Sequence, residues 1–212
     1  ETGEALLLDE TVFSGHTATR LAEQASLCDE LIDGWIRASG WENTQLRAHH
    51  CLARPPLFLH EGDTPGRLWT GSHDELVTLL ARNPEARVQD PGSARVVEAT
   101  RTLSPGLIVD FCAGRGTKTR QLASLHPEAE ILATDVNESR MTDLLNTFEG
   151  HDRIRAVRPN DLRDVIGTVD LLVLDVPCSN TGVLPRRSQA RYRLTPRRQA
   201  GLSKLQKGIV TD

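Results

Sequence analysis

Aromatic side chains are scarce in this chain. One tyrosine, three tryptophans and four phenylalanines make up 4% of its residues, too few for a broad platform on which successive nucleic-acid bases could stack. Long apolar runs are missing as well: no stretch approaches the roughly 20 residues of a membrane span, and the segment from Val169 to Leu174 has the length of a buried strand. The four cysteines (Cys28, Cys51, Cys112 and Cys178) form no C-x-x-C pair, which excludes the usual zinc and thiol-exchange spacings. His49-His50-Cys51 has no partner at metal-ligand spacing, so no metal is expected. A reducing, cytoplasmic setting is the default for such cysteine usage, and no charged-then-apolar leader is visible.

What is present is ordinary for a soluble globular protein. The chain has 212 residues, 38% hydrophobic and 25% charged, which predicts one to two domains and no membrane association. It opens on Glu1 rather than methionine and ends on a helix-like run from Leu202 to Val210, so we expect a piece of a longer chain. The net charge of -4 conceals a strong asymmetry. Glu1 to Asp33 carries eight acids against Arg20, whereas Cys178 to Asp212 carries eight bases against Asp212 alone. The basic block is the electrostatic footprint of a phosphate-rich partner or, equally on charge alone, a solvated arginine-rich helix face.

Two textures divide the sequence. Residues 1–17 read as an acidic linker. Residues 18–85 read as a small helical or α+β region: a helix from Ala18 to Ser39 ending at Gly40, an extended edge segment at Arg54 to Leu59 where prolines exclude helix, and a helix from Asp74 to Arg82 with Ser72 as cap and Glu75 as its N3 partner. Trp35, Trp41, Trp69 and Cys28 are expected in the packing. From residue 86 onward, strands alternate with helices. Leu107 to Asp110, Glu130 to Asp135, Ile154 to Val157 and Val169 to Asp175 are the strands; Thr117 to Leu125, Glu138 to Phe148 and a short piece after Asp161 are helical. Apolar strands separated by helices predict a parallel sheet in a doubly wound α/β fold, with ligands bound beyond the carboxyl ends of the strands.

Those ends carry the chemistry. After the first strand, Cys112-Ala113-Gly114-Arg115-Gly116-Thr117-Lys118 opens a helix, with glycines that let backbone approach a ligand and free N–H groups at the helix start. A phosphate loop is excluded, because Phe111 and Thr117 stand where a glycine and a lysine are required. The third glycine of a dinucleotide loop is replaced by Thr119. Asp135 follows the second strand 21 residues after Gly114, a spacing at which a carboxylate reaches ribose hydroxyls. Together these favour a nucleoside cofactor, S-adenosylmethionine ahead of a dinucleotide, over a simple tight turn beside a surface acid.

The fourth strand runs into Asp175-Val176-Pro177-Cys178-Ser179-Asn180-Thr181-Gly182. With the loop at Cys112, this resembles the RsmB/Sun-type RNA cytosine-C5 methyltransferases, whose loops read D-x-C-A-A-P-G-G-K-T and D-A-P-C-S-x-T-G. The likeness continues at Val88-Gln89-Asp90-Pro91, Trp35, Pro55, Pro56, Arg186-Arg187, Tyr192 to Pro196 and Leu205-Gln206.

The resemblance implies an S-adenosylmethionine-dependent Rossmann-like methyltransferase domain over 86–212, partial at its C-terminus, after an RNA-binding type of region. It also implies methylation of cytosine C5 in RNA, ribosomal RNA foremost. Cys112, Ala113, Gly114, Arg115, Gly116, Thr117, Lys118, Asp135, Arg140, Asp161 and Asp175 would bind the cofactor. Asp175 and Cys178 would be catalytic, Asp175 at the cytosine and Cys178 in release of the methylated base. Arg186, Arg187, Arg191 and Arg193 would contact RNA.

The sequence departs from the family in several places. Arg115 replaces a proline and Thr117 a glycine, which puts a positive charge near a cationic cofactor. The family's attacking thiol lies in a later T-C-S motif, and no Thr-Cys pair occurs here. Either that part lies outside these residues, or the protein is a methyltransferase-like RNA binder without catalysis. A third reading makes Cys178 itself the attacking thiol. An apolar strand Leu171 to Leu174 at an open sheet edge calls for cover by further chain, a partner or the terminal helix.

Overall fold

The computed structural model describes residues 17–211, so nearly all of the expected acidic linker lies outside the described residues. The chain forms two compact units. One comprises Pro56–Val176; the other joins the described residues before it, 17–55, to those after it, 177–211. The boundary expected between residues 85 and 86 falls inside the first of these. Among the described residues no helix is long and apolar enough to cross a membrane.

The described residues begin with α1 (Thr17–Ala25) and α2 (Asp29–Leu52). The single helix expected from Ala18 to Ser39 is broken, because Ser26 takes a left-handed conformation (φ 53°) and turns the chain. Gly40, expected to end a helix, instead kinks α2 at φ 79°, and the helix resumes to Leu52. Only glycine adopts that conformation without strain. Leu21, Ala25, Leu31, Ile32, Ala48 and Cys51 form the buried seam between the two helices, with Cys28, Trp35 and Trp41 packed against it.

In the other unit, β1 (Phe58–Glu61), β2 (Arg67–Leu68) and, after α3 (His73–Arg82), β3 (Ala86–Val88) form an antiparallel sheet in the order β2-β1-β3. The expectation of an edge segment near the prolines is therefore corrected, since β1 is the central strand. Pro55 and Pro56 lie upstream of its first ladder residue and remove no ladder donor. The cap of α3 is as expected: Ser72 Oγ accepts from the Glu75 N–H at 3.2 Å, and the Glu75 carboxylate accepts from the Ser72 N–H at 2.7 Å. Trp69 packs against Leu76 and its neighbours.

Next come α4 (Pro91–Glu98), capped by Asp90, then β4 (Leu107–Phe111), α5 (Thr117–Leu125), β5 (Glu130–Thr134), α6 (Glu138–Thr147), β6 (Ile154–Ala156), a 3-10 turn at Pro159–Val165, and β7 (Leu171–Leu174). The four strands are all parallel, ordered β6-β5-β4-β7. Ile108, Leu122, Ile131, Met141, Leu144 and Ile154 fill the core beneath them. From β4 the chain steps outward through β5 to β6, then returns to lay β7 on the opposite side of β4. This reversal of strand order creates the crevice at which such folds bind ligands. The fold is the expected α/β, doubly wound, Rossmann-like core.

Two 3-10 turns (Thr181–Val183 and Ser188–Tyr192) and α7 (Pro196–Thr211) follow. They belong to the unit of α1 and α2, where Leu184 is fully buried in the seam.

Candidate active site

The crevice lies at the carboxyl ends of β4, β5 and β7. The loop after β4 is held in a conformation that side chains rarely adopt: Cys112, Gly114 and Gly116 have φ of 73°, 63° and 77°. Gly116 is also sterically required, since a Cβ there would lie 2.5 Å from the Phe148 ring. The loop is tied to β5 by the Ala113 N–H, which donates to the Thr134 carbonyl at 2.9 Å.

Asp135 closes this arrangement. Its buried carboxylate accepts from the Gly114 N–H at 3.1 Å and the Asn137 N–H at 2.8 Å, while Arg140 stands 3.5 Å away. The acid thus positions the glycine loop. Asp161 sits in the 3-10 turn after β6 and accepts from the Arg158 N–H at 3.3 Å. Arg115 is directed toward Asp143 on α6 at 3.9 Å and is largely exposed, so its charge has an acidic partner close by. Ala113 and Thr117 are half-buried along the loop and first helical turn.

Sequence reasoning passed over Asp110. It is fully buried at the end of β4 and accepts from Thr119 Oγ1 at 2.6 Å, yet its second oxygen has no hydrogen-bond partner. Burial pushes its carboxyl up to about 6, opposed by the Thr119 bond and reinforced by the nearby charge of Asp175. Burial and the charges of Asp135, Asp110 and Asp175 likewise raise the Cys112 thiol to about 11. Three acids stand at three neighbouring strand ends; Asp135 and Asp175 are paired with Arg140 and Lys118, and buried Asp110 keeps one carboxylate oxygen without a partner. A ligand bearing positive charge, as the sulfonium and ammonium groups of S-adenosylmethionine do, fits these residues. Lys118, from the first turn of α5, donates to Asp175 at 2.8 Å.

Directly after Val176 the chain enters the helical unit. There Cys178 is exposed and lines a cavity of about 430 Å³ together with Arg186, Arg187, Arg193 and Arg198. Gln206 of α7 donates to the Pro177 carbonyl at 2.8 Å and anchors the start of this segment. Arg198 went unnoticed as a site residue, although it lies in the same acid-free stretch. Arg191 is placed differently from its neighbours: its guanidinium is directed at the backbone carbonyls of Ala25 and Cys51, and its Nε is buried without a partner.

The parallel sheet and its switch point define a Rossmann-like α/β fold, the core of the methyltransferase class. The sequence profile described as 16S rRNA methyltransferase RsmB/F matches residues 102–212, and the chain belongs to that family. A Mycobacterium tuberculosis protein named as a candidate methyltransferase is 33% identical over 162 residues, which is 73% of this chain and 33% of that protein. Ribosomal RNA small subunit methyltransferase B of Salmonella arizonae is 31% identical over 128 residues, 58% of this chain and 30% of that enzyme. The chain therefore spans about a third of the length of these curated relatives. The crystal structure of PH0851 shares the fold over 90% of this chain and 50% of its own, with a TM-score of 0.68 at 20% identity.

Proposed function

We propose that these residues carry the cofactor crevice and an RNA-contacting segment of an RNA cytosine-C5 methyltransferase that uses S-adenosylmethionine and acts on ribosomal RNA. The observation that carries the reading is the placement of Asp175. It follows the strand that reverses the sheet order, it is held by a lysine from the glycine loop's helix, and it stands three residues before a thiol on an arginine-lined cavity. Family membership supports the RNA and methyl-transfer parts.

In this reading Cys112 to Lys118, Asp135, Arg140 and Asp161 hold the cofactor, with the orphaned oxygen of Asp110 facing its positive charge. When bound, S-adenosylmethionine supplies an electrophilic methyl group. Cytosine C5 is a poor nucleophile until a thiolate adds at C6; in the family that thiolate comes from a T-C-S motif, which these 212 residues do not contain. Asp175 orients the base through a hydrogen bond at N3 or N4 and stabilises the charge that develops there. Lys118 fixes the rotamer of that carboxylate. The thiol of Cys178 assists loss of the C5 proton and release of the methylated base. Arg186, Arg187, Arg193 and Arg198 bind phosphates of the RNA strand.

Methyl transfer from labelled S-adenosylmethionine to 16S rRNA transcripts, with digestion to nucleosides and mass spectrometry, tests the assignment on the full-length protein. We expect the label in 5-methylcytidine. Label in another nucleoside, or none from a protein that binds both cofactor and RNA, overturns it.

A further inference from the structure

We infer that Arg191 is a positioning residue: it pins the arginine-bearing segment to the α1–α2 pair, so that these helices set the shape of the RNA-contacting cavity. The inference rests on the RNA reading above. α1 ends at Ala25 and α2 at Leu52, and the last carbonyls of any helix lack intrahelical partners and carry the negative end of its dipole. Arg191 meets both ends at once, Nη1 donating to the Ala25 carbonyl at 3.3 Å and Nη2 to the Cys51 carbonyl. Only a guanidinium offers two such donors in one rigid fork. Its Nε is buried and unpartnered, so the head group is committed to this place and is not one of the exposed cations around it.

The neighbours of Arg191 make parallel attachments. Tyr192 Oη lies 2.8 Å from the hydroxyl of Ser26, the residue whose left-handed turn separates α1 from α2. Leu184 is fully buried in the helical seam, and Ala190 and Leu194 pack against it. Arg187, Arg193 and Arg198, which line the cavity, are exposed. Attachments to the helical pair thus alternate with exposed cations along one short stretch.

The dependence of RNA affinity on salt separates the two roles. Each phosphate contact releases counterions and contributes about 0.7 to the logarithmic salt slope on single strands. With a single-stranded ribosomal RNA fragment and the full chain, Arg187→Ala is expected to lower the slope by about that amount while leaving the melting temperature unchanged. Arg191→Met is expected to weaken binding about tenfold at an unchanged slope, with faster amide exchange in residues 184–194. Arg191→Lys, which keeps the charge but not the fork, is expected to show the same loss in milder form and serves if the methionine variant does not fold. A slope lowered in both Arg191 variants makes Arg191 an RNA ligand and overturns the proposal, as does unaltered affinity and exchange. A native chain without salt-dependent RNA binding would instead refute the RNA reading, and amide exchange in 184–194 would still report whether Arg191 pins the segment.

Discussion

Lys118 Nζ donates a 2.8 Å hydrogen bond to Asp175 Oδ2, joining residues 57 positions apart. The lysine is mostly enclosed, its side chain 13% exposed, whereas Asp175 is 54% exposed. The ammonium therefore fixes an acid that remains open to a substrate.

This pair predicts a division of labour. Asp175→Asn should lower the rate of methyl transfer in single-turnover experiments by about 10²-fold or more while changing cofactor affinity little. Lys118→Met should produce a smaller loss in the same direction. Equal rates in wild type and Asp175→Asn would remove Asp175 from the catalytic role.

Asp110 links stability to pH. Its carboxyl is raised from 3.8 to about 6 by burial, so between these values the folded chain holds a proton that the unfolded chain has released. Stability should fall as pH rises through that window and level off above it, by roughly 3 kcal/mol in all at about 1.4 kcal/mol per pH unit. Urea unfolding of wild type and Asp110→Asn from pH 4 to 7 checks this, the difference between the two curves isolating the residue. A cationic cofactor favours the ionised acid, so its affinity should weaken below about pH 6 in wild type and be flat in Asp110→Asn. Parallel stability curves would show that Asp110 titrates normally.

Two glycines of one loop should respond differently to alanine. At Gly116 the new Cβ meets the Phe148 ring at 2.5 Å in a backbone with φ 77°; at Gly114, with φ 63°, it meets nothing within 4 Å. Gly114→Ala should cost about 1–2 kcal/mol from backbone strain alone. Gly116→Ala should cost more, because overpacking adds about 1–3 kcal/mol. Denaturant midpoints measure both, and a reversed order would contradict the packing at Phe148.

A buried polar chain joins the small sheet to the helix of the glycine loop. Arg87 Nε donates to Gln89 at 2.8 Å, Gln89 to Gln121 at 2.6 Å, and Gln121 to the Ala94 carbonyl at 2.9 Å. Removing one member leaves a buried group unpaired, at about 1–3 kcal/mol. Gln89→Ala and Gln121→Ala should each destabilise, and the double variant should cost less than their sum by at least about 0.5 kcal/mol. Strict additivity in the cycle would mean that the two amides act independently.

Much of this was legible from residues near one another in the chain. The limits of α5 follow from a glycine loop and an apolar helical period, and the capping box of α3 from Ser72 and Glu75 alone. The strand runs from Leu107 and Glu130 are recognisable because buried parallel strands need continuous apolar residues. The break at Ser26 was not legible, because a serine in a helical pattern carries no strong stop signal and takes φ 53° only as the two helices fold onto one seam. The central place of β1 was hidden by the prolines in front of it.

Composition and local pattern determined the alternating elements, the glycine loop and the acids and thiol at the strand ends, since each depends on a few consecutive residues. Tertiary structure alone decided that Asp175 meets Lys118, that Asp110 is enclosed with an unpaired oxygen, and that Arg191 grips two helix ends while Arg187 and Arg193 face outward. Those outcomes depend on which side of β4 receives β7 and on which helices close over an arginine 166 and 140 residues away. Such long-range pairings are set by the global burial of apolar surface, so two arginines with the same local surroundings in sequence can have opposite roles.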